Sequence, residues 1–104
     1  MVDKNRASCG IEDRKVIRMP TISRFYGILI QMYFADHAPP HFHALYAEFE
    51  AVIDIRTIEV IRGDLPGRAL ALVIEWAQEH SGELMEDWEL CVQNRTPMKI
   101  RPLV

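Results

Sequence analysis

The chain has 104 residues, 49% hydrophobic and 26% charged, the balance of one globular domain whose core can form without disulfides; a disordered or low-complexity protein is excluded. A net charge of −3 excludes a strongly basic nucleic-acid binder, so any contact with RNA has to come from a local patch. The two cysteines, Cys9 and Cys91, have no CxxC spacing, which excludes a zinc-finger framework, and no apolar run is long enough to span a bilayer.

Residues 1–18 are polar and mixed in charge, with Lys4, Arg6, Arg14, Lys15 and Arg18 against Asp3, Glu12 and Asp13. Without a sustained hydrophobic period they read as a loosely ordered extension. There is no apolar stretch of the secretory kind, so a cytoplasmic location is expected. Met19-Pro20 marks the start of the folded part, and 19–104 is expected to be a single domain.

Extended runs follow. Ile22 to Phe25 is short and is punctuated by Gly27. Ile28 to Phe34 is β-branched and aromatic, the composition that strands favour. The His/Pro segment breaks the pattern, since proline cannot donate to a ladder. Phe42 to Ala47 and Phe49 to Ile55 resume it; in the second, Ala51, Ile53 and Ile55 fall on one face and Glu50, Val52 and Asp54 on the other. Arg56-Thr57 makes a tight turn into Ile58 to Ile61, and Gly63-Asp64 closes the β region.

The helical half is expected to begin at Asp64, as a capping residue ahead of Leu65-Pro66. Ala69, Leu72, Val73, Trp76, Ala77 and His80 recur at helical spacing, widened by Leu70 and Ile74. Ser81-Gly82 interrupts. Glu83 sits near the start of a second helix, where negative charge suits the dipole, and Leu84, Trp88 and Cys91 form its inner stripe. Asn94 to Pro97 ends it. Met98 to Leu103 reads as a final strand. The expected fold class is therefore α+β in two layers: an antiparallel β-meander of about four strands, two helices and a short C-terminal strand.

The chemistry is concentrated in Asp36-His37-Ala38-Pro39-Pro40-His41-Phe42-His43, which holds three of the four histidines. With Phe42 in a strand and facing the core, His41 and His43 share the other face, roughly 6.6–6.8 Å apart along the strand. Both imidazoles can then converge on one divalent transition metal such as zinc, with His37 or Asp36 as third ligand from the loop and a position open to water. The prolines stiffen the loop and reduce the entropy lost on fixing the ligands. A metal-free reading makes His41 and His43 a general acid and base, with Arg24 or Arg56 stabilising phosphate charge. A third reading makes the cluster a contact surface or a structural polar network. The residues alone leave these three open.

The remaining residues read more simply. Trp76 and Trp88 are core anchors on inner stripes. Cys91 is a buried thiol. His80 caps the last carbonyls of the first helix. Arg24, Tyr26 and Tyr33 could line a groove beside the histidines. Glu83, Glu86, Asp87 and Glu89 form an acidic face, read as a solvated surface, with a basic partner as the sharper alternative.

Met19-Pro20-Thr21-Ile22-Ser23-Arg24-Phe25-Tyr26-Gly27-Ile28, Met32-Tyr33-Phe34 and the Asp36–Ala44 run resemble the start of a bacterial domain-of-unknown-function family, number 4160. Gly63-Asp64-Leu65-Pro66, Leu72-Val73, Glu75-Trp76, His80, Glu83-Leu84, Trp88-Glu89 and Lys99-Ile100-Arg101-Pro102-Leu103 extend the resemblance over 19–104. The family has no settled activity. Its members look like small proteins often encoded beside another small protein, which implies one component of a toxin–antitoxin-like pair and hence a small protein partner. The His/Asp segment would then be the functional site, with metal-binding or nucleic-acid-cleaving activity; the alternative is a non-catalytic interaction module whose histidines shape a contact surface. Exposed antiparallel edges make a homodimer plausible as well.

Overall fold

The computed structural model describes residues 20–104; the 1–18 extension and Cys9 lie outside the described residues. Five strands form one antiparallel sheet in chain order: β1 (Thr21–Phe25), β2 (Ile28–Gln31), β3 (His41–Tyr46), β4 (Phe49–Asp54) and β5 (Glu59–Gly63). Two helices follow, α1 (Gly67–Glu79) and α2 (Ser81–Val92). The α+β class and the meander are as expected, with five strands in place of about four because the short first run is a full strand paired to β2.

The turns explain the topology. Tyr26 and Gly27 both have positive φ (49° and 79°), the two-residue hairpin turn whose twist matches that of the flanking strands. Ala47-Glu48 links β3 to β4 in the same tight way, with Ala47 at φ 53°. Between β4 and β5, Asp54 Oδ1 accepts the backbone N–H groups of Arg56 (2.7 Å) and Thr57 (3.2 Å). Burial alone would raise the Asp54 carboxyl; those two N–H groups and the Arg56 guanidinium outweigh it and hold the group below its ordinary value.

Register assigns the faces. Ile28, Ile30, Phe42, Ala44, Ala51 and Ile53 point to the core, where Trp76 of α1 meets Phe25 and Phe42 at ring distances of 5.3 and 5.9 Å. The opposite face carries three cross-strand rows: Arg24, Leu29, Leu45, Glu50; then Thr21, Gln31, His43, Val52, Arg62; then His41, Asp54, Glu59. A bulge opposite Val52/Ile53 inserts Ile61 and returns Arg62 to the histidine face.

Several expectations are corrected. The Ile28–Phe34 run leaves the sheet after Gln31; Ala35 takes φ 51° and donates its N–H to the Cys91 carbonyl (2.8 Å), which pulls the chain toward α2. Asp64 does not cap α1: its N–H extends the sheet to the Glu50 carbonyl (3.0 Å), and the helix starts behind Pro66 with no side-chain cap. Ser81-Gly82 opens α2 rather than interrupting; the break is the single residue His80. It is the backbone N–H of His80, not its ring, that reaches the Trp76 and Ala77 carbonyls, while the ring pairs with Glu83.

Met98–Leu103 forms no strand. Pro97 and Pro102 lack N–H groups, and one sheet-like bond, Ile100 N–H to the Ile22 carbonyl (2.8 Å), ties the segment to β1. Trp76 Nε1–H to the Arg101 carbonyl (2.8 Å) fixes it against α1. On β4, Val52 and Asp54 lie on the face opposite Ala51 and Ile53, as expected, and are buried there; on α2 Asp87 is 1% exposed rather than part of a solvated acidic face. Asp87 lies three residues after Leu84, on the inner stripe, and its Oδ1 accepts the Met98 N–H (2.8 Å). Asn94, at φ 61°, ends α2 as expected: its N–H bonds the Cys91 carbonyl (2.9 Å) and that of Arg95 bonds Leu90 (2.8 Å), the Schellman pattern.

Candidate metal centre

The site forms where β3 enters the middle of the sheet. Alternation puts the His41 and His43 rings on the face away from Phe42, with centroids 5.3 Å apart. Both residues are nonetheless buried, His41 at 8% exposure and His43 at 3%. Tyr33, swung over by the turn after β2, stacks on the His43 ring at 4.1 Å and 7°. Trp88 of α2 lies 5.1 Å from the His41 ring. Asp36 comes down from the loop, and its carboxylate joins the two imidazoles so that one donor atom from each residue lies within 4.8 Å of the others.

Hydrogen bonding fixes which ring nitrogens face that point. His41 Nδ1 lies 2.7 Å from the Pro39 carbonyl, which can only accept, so Nδ1 carries a proton. His43 Nδ1 lies 2.9 Å from Glu50 Oε2 and donates to that carboxylate. In each neutral ring Nε2 is then a lone pair, and both Nε2 atoms turn toward Asp36 Oδ2, at 2.9 Å for His41 and 3.9 Å for His43. A lone pair facing a carboxylate is repulsive unless a proton or a cation lies between them. The His41 distance accommodates a proton. The His43 distance is too long for a hydrogen bond, and His43 Nε2 is buried without a partner among the described residues. Such an orphan costs on the order of 1–3 kcal/mol.

A divalent ion held by these three residues would resolve the conflict. With metal–nitrogen bonds of about 2.0–2.1 Å, tetrahedral ligands sit roughly 3.3 Å apart. The observed 2.9 and 3.9 Å to Asp36 bracket that value, and with all three donors within 4.8 Å of one another a small closing movement would complete the set. The outer contacts are those that metal-bound histidines make, one ring held by a backbone carbonyl and the other by a carboxylate. Asp36 is steadied by the His37 N–H on Oδ1 (2.8 Å).

The sequence-derived candidates separate accordingly. Asp36, His41 and His43 come together, while His37 is exposed and contributes its backbone N–H. Arg24 shares the histidine face but stands two strands from β3, with Leu29 and Leu45 between, in a crevice it lines with Thr21 and Lys99. Arg56 is turned to Asp54, 3.6 Å away. Glu50 and Arg62 were not singled out by the sequence. The two-residue turn at Ala47-Glu48 sets His43 opposite Val52, which makes Glu50 its diagonal neighbour; that register was the available signal. Burial, then the Glu50 and Asp36 charges, raise the Tyr33 phenol above its ordinary value, and Arg62 partly offsets them, so all three charges reach this hydroxyl.

A family model described as a domain of unknown function (DUF4160) matches residues 27–89, more than half of the chain and the whole of this site. The chain belongs to this family. No curated protein and no solved structure matches it. In this DUF4160 chain no helix among the described residues is long and apolar enough to cross a membrane.

Proposed function

We propose that the protein is a divalent-metal-binding domain, with Asp36, His41 and His43 as the protein ligands, working as one component of a toxin–antitoxin-like pair. The observation that supports the metal is the buried, unpartnered His43 Nε2 aimed at Asp36 beside the matching nitrogen of His41. Two imidazoles and a carboxylate suit zinc or a similar transition ion and leave a coordination position open. Bound there, the ion would act as a Lewis acid toward water or an ester oxygen, the chemistry of phosphodiester cleavage. Glu50 and the Pro39 carbonyl orient the two rings, and Trp88 and Tyr33 shield them from bulk water. The partner half of the proposal rests on the family resemblance.

The test is a zinc titration of the purified protein beside the single variants Asp36→Ala, His41→Ala and His43→Ala, followed by an RNA and DNA cleavage assay. One ion per chain is expected, with affinity reduced at least tenfold by each change, and cleavage that a chelator abolishes. Absence of both metal uptake and cleavage would remove the catalytic version. One contact favours a second reading. At 2.9 Å from Asp36, a protonated His41 is clamped between that carboxylate and Pro39, a polar network able to shape a contact surface without metal. In that case His41→Ala weakens partner binding, and chelation changes nothing.

A further inference from the structure

Resting on the metal reading of the site, we propose that the cleft next to it binds a phosphate ester, with Arg62 holding one of the phosphate oxygens. Tyr33, His43, Glu50, Val52, Arg62 and Gly63 line a cleft of about 360 Å³ on the open face of the sheet. That volume falls in the range of small-ligand sites. His43 forms part of its wall, so the cleft shares this one proposed metal ligand with the site. Arg62 belongs to the row that runs His43–Val52–Arg62 across three strands, two spacings or roughly 9.6 Å from the histidine backbone. It is exposed, and it makes no ion pair among the described residues. Tyr33 and Arg62 both line the cleft, which places phenol and guanidinium around the same space.

The charge balance selects an anion. A divalent ion offsets the carboxylates of Asp36 and Glu50, and Arg62 then leaves one positive charge over. The number of donors selects the class of anion. With a metal on His43, the cleft would offer three donors, metal, guanidinium and phenol; a tetrahedral phosphate has an oxygen for each, while a planar carboxylate has two oxygens in all. A guanidinium fork also matches phosphate geometry better than a point charge would. The bulge at Ile61 turns Arg62 onto this face; without it, the alternation of β5 would send that side chain to the other side.

The experiment uses the full chain loaded with cobalt(II), whose visible absorption reports metal binding and then changes as an anion joins it. Inorganic phosphate and acetate are titrated into the wild type and into Arg62→Gln, a change on an exposed strand. Wild type is expected to bind phosphate more tightly than acetate. Arg62→Gln should lose roughly tenfold or more in phosphate affinity while cobalt affinity stays within about threefold. Equal phosphate affinity in the two proteins overturns the proposal, as does acetate binding as tight as phosphate. Cobalt uptake with no phosphate binding overturns this inference alone; no cobalt uptake overturns the metal reading and this inference with it.

Discussion

Among the described residues, buried polar atoms without partners identify where single residues carry more than packing, and two of them are His43 Nε2 and Asp87 Oδ2. Burial pushes the Asp87 carboxyl up from 3.8 to about 6; the Met98 N–H works against that, and the Glu83 and Glu86 charges add to it. In the unfolded chain the group returns to its ordinary value. Between pH 4 and 6 the folded protein therefore holds the extra proton, and the stability this group contributes is present below pH 4 and is lost as pH rises through 6. A shift of that size corresponds to on the order of 2–3 kcal/mol. Asp87→Asn cannot titrate, so its stability relative to wild type should rise by about that amount between pH 3.5 and pH 7.5. Urea melts of both proteins at the two pH values measure it, and parallel profiles would show that Asp87 does not titrate as stated. The same helix holds Cys91, which burial, then Asp87, push up to about 11, leaving an unreactive thiol. At this scale the sequence was readable where alternation decides: His41 and His43 on one face, Phe42 on the other. It was not readable at Asp36 and His37. Which of the two turns inward depends on the backbone at Ala35, and that is held by a carbonyl of α2 from far along the chain.

Strand β5 shows how an element can control a site without supplying a ligand to it. Gly63, its last residue, has φ +77°, and a Cβ built there would stand 2.2 Å from the Glu50 carbonyl oxygen. Backbone cannot yield as a flexible side chain would. That carbonyl also accepts the Asp64 N–H, and the Glu50 side chain holds the His43 ring. Gly63→Ala should thus cost stability, on the order of 2–3 kcal/mol from the left-handed φ and the clash together, and should also weaken zinc binding through Glu50, within the range of about 10–100-fold that outer-sphere changes produce. Chemical denaturation and a zinc titration read the two effects. A variant that loses stability and keeps full zinc affinity would show that β5 does not position Glu50. Most elements were legible because hydrophobic period and turn residues agree, as at Tyr26-Gly27 and along α1. The exceptions share one cause, which is that tertiary contacts took over groups that local rules had assigned elsewhere. Asp64 gave its N–H to the sheet instead of capping a helix, and Met98–Leu103, extended and apolar enough for a strand, was tied down by a tryptophan and an aspartate at intervals its prolines could not bridge with a ladder.

Across the whole molecule, the three proposed ligands join parts of the chain that the fold alone brings together. Asp36 lies in the excursion between β2 and β3, and the two histidines lie on the central strand, which pairs with β2 on one side and β4 on the other. An unfolded chain holds the same residues within eight positions but not at the required angles, nor with both Nδ1 atoms tied to Pro39 and Glu50. Metal should accordingly bind the native state in strong preference and raise the melting temperature by mass action. At free zinc about 100-fold above the dissociation constant the gain is about 2.7 kcal/mol. A domain of this size shifts by roughly 4–8 °C for each kcal/mol, so a rise of about 10–20 °C is expected. Asp36→Ala is the informative control, because the loop residue can be removed while leaving both imidazoles and the sheet in place. Its apo melting temperature should stay near that of wild type, and most of the zinc-induced rise should disappear. Thermal melts with and without zinc decide the matter. A rise retained in full by Asp36→Ala would place the ion elsewhere on the molecule, and no rise in wild type at saturating zinc would leave the His/Asp cluster as a network of protons.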